Sequence, residues 1–380
     1  MKTKKTYYFD NAATTFPKPP ILYLRLMALY EAVGINGSRG HHFLADEMNE
    51  YVLKLRNNLG KIFGVLPDGV VLASSATVAA NQIIQGLNYS KIKNVYISPF
   101  EHNATYRPIW AMQQRYGFNL KEIPFDGFAW NEAKTKFIFT HESPDIVICT
   151  HASNVFGNVL PIQEIFKTAK EYGATTILDC AQTAGGISTN IKDLQADFAI
   201  WAGHKGLYGP SGIGGFIINS SYQLAPVLFG GTGIFSEDTN MPNSIPERFE
   251  IGSMNSLSIL GLFLSTDWLL NEAIDVSVKK CRLTEDLFTM LMKYPDVCSV
   301  ISDSSIENVG VISILPRIMS PAEMENYLSQ QGICVRAGLH CAPLAHNQMG
   351  TAPEGTVRFS ISYFTFENDL NLLEQILKEL

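Results

Sequence analysis

Short runs of consecutive apolar residues recur along the first part of the chain, and helical spacing fills the stretches between them. GVVLAS (69–74), KNVYISP (93–99), DIVICTHA (145–152), TTILDCAQ (175–182), DFAIWAG (197–203) and GGFIINS (214–220) lack the alternation of a strand with one wet face. They predict strands buried on both sides. TVAANQIIQGL and IQEIFKTAKEYG predict helices between them, the second closed by Gly173. This alternation implies a mainly parallel sheet covered by helices. After about residue 258 the rhythm changes: a long helical stretch, LSILGLFLSTDWLLNEAIDVSVKKC, leads into the strand-like VGVISILP. SPAEMENYLSQQG then offers Ser320 as N-cap, Pro321 in the first turn and Glu323 to close a capping box. ICVRAG and TVRFSIS predict further strands, and a last helix places Leu370, Leu373, Leu377 and Leu380 on one face. The expected organisation is a large α/β unit over residues 18–258 and a smaller α+β unit from residues 1–17 and 259–380.

Composition narrows the class. At 380 residues the chain is long for one core, and 46% hydrophobic with 17% charged residues suits a compact interior with buried interfaces. The net charge of -7 argues against a nucleic-acid partner. No apolar run approaches the roughly 18 residues of a membrane span, so no membrane association is expected. MKTKK resembles the start of a signal peptide, but Asp10 and Asn11 fall where its apolar region belongs. The six cysteines are scattered without metal-ligand spacing, which predicts reduced thiols, a cytoplasmic protein and no metal site.

In an open α/β sheet, ligands gather where strands end. Past the predicted strand ends lie Glu101, His102 and Asn103, then His151, Ser153 and Asn154, then Asp179 and Gln182, then His204 and Lys205. Singly, each reads as a cap, a turn or a core polar group. Together they supply what pyridoxal phosphate needs. Lys205 would form the Schiff base, Asp179 would pair with the pyridinium nitrogen, His102 would lie over the ring, and the Asn154 and Gln182 amides would reach its phenolic oxygen. Small residues at a helix start, SSATVAAN, offer backbone N–H groups to the phosphate, with Ala76 and Thr77 placed to give them.

On these residues the chain resembles the pyridoxal-phosphate-dependent cysteine desulfurases and selenocysteine lyases, on the SufS-like branch of the class V aminotransferase fold. YFDNAATT, SSATVAAN, EHNA, SNVFG, DCAQ, GHKGLYGPSGIG, RFEIG, RAGLHCAP and TVRFS occur in that family's order, with Lys205 placed 26 residues after Asp179. The resemblance implies a fold type I transferase with a mainly parallel seven-stranded sheet, helices on both faces and a small α+β domain. It implies Lys205, Cys341 and His102 as catalytic residues, with His204 also at the cofactor. Arg358 would pair with the substrate carboxylate, helped by Asn154, Arg336 and Ala13. Cys341 would take sulfur from L-cysteine, leaving alanine and a persulfide, with Arg336 or His340 favouring its thiolate. FGGTG would reach into the other subunit of a homodimer, with Thr232 on the phosphate there. A sulfur-acceptor protein is implied, with slow turnover in its absence. So is a compact cysteine loop, from the short spacing between RAGLHCAP and TVRFS.

Ser75, Val78, Ala202 and Leu339 depart from the family pattern, near the phosphate and the cysteine. Arg39, His41 and His42 in NGSRGHH are left unassigned. The alternatives are a selenocysteine lyase, a class V aminotransferase or lyase that does not use Cys341, and a non-catalytic sulfur-carrier scaffold. Retention of Lys205 and Asp179 argues against the last.

Overall fold

The computed structural model describes residues 6–37, 40, 42–234, 236–273 and 275–380. The large unit is built on a seven-stranded sheet: β1 (Val70–Ala73), β2 (Asn94–Ile97), β3 (Asn119–Glu122), β4 (Ile146–Thr150), β5 (Thr175–Asp179), β6 (Phe198–Ala202) and β7 (Gly214–Ile218). Their spatial order is β1-β7-β6-β5-β4-β2-β3. Only β7 runs against its neighbours. The strand side chains alternate between two cores: along β4, Ile146 and Ile148 join one, while Val147 and Cys149 join the other. The first core is closed by the helices Ala76–Gly86 and Asn103–Tyr116, and the second by a larger set that includes Phe43–Phe63 and Ile162–Lys170. A sheet covered on both faces needs apolar residues at every strand position, which is why the runs carry no alternation.

A four-stranded antiparallel sheet forms the smaller unit: β8 (Cys298–Val300), β9 (Val311–Pro316), β10 (Arg336–Gly338) and β11 (Thr356–Ser360), in the order β8-β9-β11-β10. Its own core gathers Phe9, Leu283, Leu287, Ile312, Phe359 and the last helix's Leu370, Leu373 and Leu377. The capping box forms as expected: Ser320 Oγ accepts from the Glu323 amide at 3.3 Å, and Glu323 Oε2 accepts from the Ser320 amide at 2.8 Å.

Two expectations change. The stretch 257–281 is two helices, Ser256–Asn271 and Val276–Leu291, meeting at 84°. The first buries Ile259, Leu260, Leu262 and Trp268 in the large core. The boundary placed at 258 therefore falls inside a helix of the larger unit, and the smaller core starts at the second helix. At the other end, Tyr7–Tyr8 pairs with Ile333–Cys334, and Asp10 bridges to Ser360, so the N-terminal segment joins the smaller sheet. No single helix among the described residues is long and apolar enough to cross a membrane.

Candidate active site

Four neighbouring strands, β6, β5, β4 and β2, deliver polar residues from their C-terminal ends to one place. Lys205 follows β6, Asp179 ends β5, Asn154 follows β4 and His102 follows β2. All four line one cavity of about 240 Å³, together with Gln182 and Arg358. A roomier, mostly apolar cavity of about 500 Å³ lies elsewhere, by Leu72, Gln82 and Phe249. The smaller one gathers His102, Asp179, Lys205, Arg336 and Arg358, which makes it the candidate site.

Burial pushes Lys205 below the usual lysine range, with Asp179 pulling the other way. Burial likewise raises Asp179, opposed by the Ala181 amide and by Lys205. The Ala181 amide donates to Asp179 Oδ1 at 2.8 Å. His102 Nδ1 accepts from the Ala104 amide at 3.0 Å, which makes His102 the N-cap of helix Asn103–Tyr116. Burial, then the charges of Lys205, Arg336 and Arg358, lowers His102 to about 3, so its ring is neutral. Behind it, the fully buried Glu101 accepts from Ser98 and Thr105 hydroxyls at 2.6 Å, and burial raises it to about 8.

A helix start completes the cavity. Ser75 Oγ accepts from the Val78 amide at 3.2 Å, while Ala76 and Thr77, the first helical residues, line the cavity. Strand β7 runs close against this start: a Cβ on Gly214 would lie 2.6 Å from the Ala76 nitrogen. Two of the departures from the family pattern therefore act here: Ser75 is a working N-cap, and the Val78 amide is its donor. Ala202, the third, lines the cavity beside them. These residues fit pyridoxal phosphate: among the described residues no hydrogen bond or ion pair engages Lys205 Nζ, Asp179 retains acceptor capacity, and a helix N-terminus suits an anion.

The smaller unit closes the cavity from the opposite side. Arg358, in the middle of β11 and only 1% exposed, donates from Nη2 to Asp10 Oδ1 at 2.6 Å and from Nη1 to the Asn154 carbonyl at 2.9 Å. Its Nε is buried without a partner among the described residues. Arg336 sits opposite Arg358 in the β10–β11 register. Arg336 Nη2 lies 3.8 Å from Cys341 Sγ. Cys341 is exposed on a tight loop in which His340 and Cys341 have φ of 47° and 60°. Asn154 Nδ2 donates to the His340 carbonyl at 2.8 Å, and the Asn103 amide donates to that of Cys341 at 2.7 Å. The cysteine loop is thus tied to the ends of β4 and β2. Leu339 stands exposed beside it.

The remaining expected residues are placed as follows. His204 lines the cavity, and burial lowers it to about 4. Ala13 also lines it, and Gln182 Nε2 donates to the Ala12 carbonyl at 3.0 Å. Thr232 does not reach this chain's own cavity; it lines a separate one with Ile234 and Met254. His42 caps helix Phe43–Phe63, whereas Arg39 and His41 lie outside the described residues. Asp10 carries an ion pair to Arg358 that sequence reasoning did not assign, although the residue stands in YFDNAATT. Among the described residues, no group of three or more His, Cys, Asp or Glu is placed to hold a metal ion.

A family model for class V aminotransferases matches residues 7–373, and the chain belongs to that family. It is an enzyme fold of the pyridoxal-phosphate class. The chain is 27% identical over 380 residues to a probable cysteine desulfurase of Methanothermobacter thermautotrophicus, covering 98% of this chain and 94% of that protein. It is also 27% identical over 401 residues to a probable cysteine desulfurase of Pyrococcus abyssi, covering 100% and 96%. An apo cysteine desulfurase from Thermococcus onnurineus superposes with a TM-score of 0.90 at 24% identity, over 99% of this chain and 95% of that one, which shows a shared fold.

Proposed function

We propose that this chain is a pyridoxal-phosphate-dependent cysteine desulfurase that converts L-cysteine to L-alanine and keeps the sulfur as a persulfide on Cys341. The observation that carries this reading is the juxtaposition of an exposed thiol with the unpaired Lys205. Arg336, which lines the cavity with Lys205, places its Nη2 3.8 Å from Cys341 Sγ.

Lys205 and Asp179 would hold the cofactor ring, His102 would cover it, and the Ala76 and Thr77 amides would take its phosphate. When bound, the cofactor supplies an electron sink for the substrate's α-carbon. Arg358 holds the substrate carboxylate through a fork that suits a planar anion. Lys205, kept below the usual lysine range by burial, accepts the α-proton. The Cys341 thiolate attacks the substrate sulfur: an S–S bond forms, the carbon–sulfur bond breaks with its electron pair left on the substrate, and that carbon takes a proton to become alanine's methyl. Arg336 faces the negative charge that stays on the terminal sulfur.

The short loop, pinned by Asn154 and Asn103, supports a persulfide that waits for an acceptor protein rather than one carried outward. Six free thiols support a reducing, cytoplasmic setting. Thr232 lies outside its own chain's cavity and next to exposed Phe229 and Ile234, which supports a homodimer in which this segment completes the neighbouring site. The test is the product: with cofactor and L-cysteine, equal amounts of alanine and transferable sulfur are expected. Formation of a keto acid without sulfur release would overturn the reading. Parallel runs with L-selenocysteine establish which substrate is preferred.

A further inference from the structure

We propose that Thr15 and Lys18 are positioning residues for Lys205: they hold the two backbone carbonyls that flank it, those of His204 and of Lys205 itself, and so keep its amine aimed into the cavity. This rests on the reading of Lys205 as the lysine that takes the cofactor and moves the α-proton.

Lys205 stands in the turn that follows β6, where no sheet ladder fixes the chain. Within that turn, the Tyr208 amide donates to the Lys205 carbonyl at 2.9 Å. Further anchors come from the N-terminal segment, 190 positions away. Lys18 Nζ donates to the His204 carbonyl and to Thr15 Oγ1, at 2.9 Å each. The Thr15 hydroxyl, accepting from Lys18, still has its one proton to give, and the carbonyls of Lys205 and His204 lie 3.1 and 3.2 Å from it. The Thr15 amide donates to the His204 carbonyl at 3.1 Å, and Thr14 Oγ1 stands 3.1 Å from the same oxygen. Of these donors to His204, Lys18 is the nearest and carries charge, which makes its bond the strongest. The peptide groups on both sides of the Lys205 α-carbon are thus held from one short segment.

The Lys18 side chain is not needed to hold its own main chain. The Lys18 amide donates to Tyr23 Oη at 3.0 Å, and the Phe16 amide to Asn11 Oδ1 at 3.1 Å. Burial lowers Lys18 to about 8, and no carboxylate among the described residues pairs with it. Near pH 7 it is a charged, poorly hydrated ammonium resting on two oxygens, one of them next to Lys205. Misplacing a reacting group by about 1 Å costs about 10²-fold in rate, so a few tenths of an ångström of slack is worth about tenfold.

The experiment follows exchange of the α-proton of L-alanine with deuterium oxide, by NMR, on the cofactor-loaded enzyme. Lys18→Met keeps the stem and loses the donors, while Thr15→Val keeps the shape and loses the hydroxyl. In each, the maximal exchange rate per bound cofactor is expected to fall about tenfold, and the half-saturating L-alanine concentration to stay unchanged because Arg358 is untouched. Thr15→Ser, which restores the hydroxyl, should restore the rate. A second readout needs no turnover. Mixed with pyridoxal phosphate, the cofactor-free chain should capture it several-fold more slowly in Lys18→Met and Thr15→Val, read as growth of the visible band. An exchange or capture rate unchanged in either variant overturns the proposal. So does a lower melting temperature or cofactor content with the rate per bound cofactor unchanged, the mark of a merely structural role. Lys205→Ala separates the two readings. If it exchanges the α-proton at the wild-type rate, the reading of Lys205 falls and takes this proposal with it, whereas an unchanged rate in Lys18→Met with Lys205 upheld removes the proposal alone.

Discussion

At the scale of single residues, the site depends on putting charged groups where water is scarce. Lys205 is partly buried, and no hydrogen bond or ion pair among the described residues engages its amine; burial holds it below the usual lysine range, so the amine is more available than that of a surface lysine. Borohydride reduction of the loaded enzyme should fix the cofactor to Lys205, read by peptide mapping, and Lys205→Ala should abolish turnover. Label on another lysine would remove the assignment. Asp179 is set in the same cavity with the Ala181 amide as its hydrogen-bond donor. Asp179→Ala should slow exchange of the substrate α-proton with solvent, followed by NMR, by about 10²-fold or more; near-normal exchange would contradict its role. Cys341 is exposed on the loop that follows β10, beside Arg336. Cys341→Ala should still bind the cofactor and L-cysteine, yet lose the persulfide mass on its peptide, and desulfuration should fall to background. Of the six thiols, Cys149, Cys180 and Cys298 are buried, and burial raises all three above the usual thiol range, which leaves them inert. Full activity in Cys341→Ala would return the protein to the wider class of lyases and transferases.

At the scale of elements, the part of the fold that is legible in the sequence is the part buried on both faces. Six strands announce themselves as unbroken apolar runs. The seventh, Asn119–Glu122, does not, because an edge strand with both faces partly wet reads as the polar NLKE. The break between helices Ser256–Asn271 and Val276–Leu291 is equally hidden, since no proline or glycine marks it. In the site, residues at strand ends could be gathered from the sequence because a parallel sheet brings those ends together. The pairing of Arg358 with Asp10, 348 positions away, could not, because assigning residues 1–17 to the smaller unit does not say which side chains of the two segments meet. The left-handed backbone at His340 and Cys341 was also illegible, as neither residue type advertises it. One element-level prediction follows from the contact between β7 and the helix beginning at Ala76. Gly214→Ala would place a methyl group 2.6 Å from the Ala76 nitrogen, so the helix start must shift. The phosphate amides shift with it. Cofactor affinity, measured by equilibrium titration, should weaken by about tenfold or more, as expected when one or two charge-assisted hydrogen bonds are lost. Unchanged affinity would show that the phosphate does not bind there.

At the scale of the whole molecule, the buried titratable groups fix how the cofactor-free chain responds to acid. Burial holds His102 down at about 3, and His151, His204 and His346 at about 4. His340 is depressed in the same direction. Unfolded, each would titrate near 6.5. Between about 4 and 6.5 the unfolded chain therefore binds protons that the folded chain refuses, so these residues stabilise fully above 6.5 and progressively less as pH falls. Four carboxyls act in the opposite sense. Burial raises Glu101 to about 8 and also raises Glu122, Asp179 and Glu250, so the folded chain keeps protons that the unfolded one releases. Their contribution is full below the ordinary carboxyl range and fades as pH climbs above it. Five histidines outnumber four carboxyls, two of which are further restrained by Lys205 and Arg56. The melting temperature should therefore drop between pH 6.5 and 4.5, as followed by circular dichroism. Glu101→Gln removes one opposing group while leaving an amide to meet Ser98 and Thr105, so the drop should steepen in that variant. A melting temperature that holds level or rises toward pH 4.5 would mean that the histidines of this fold are not held neutral.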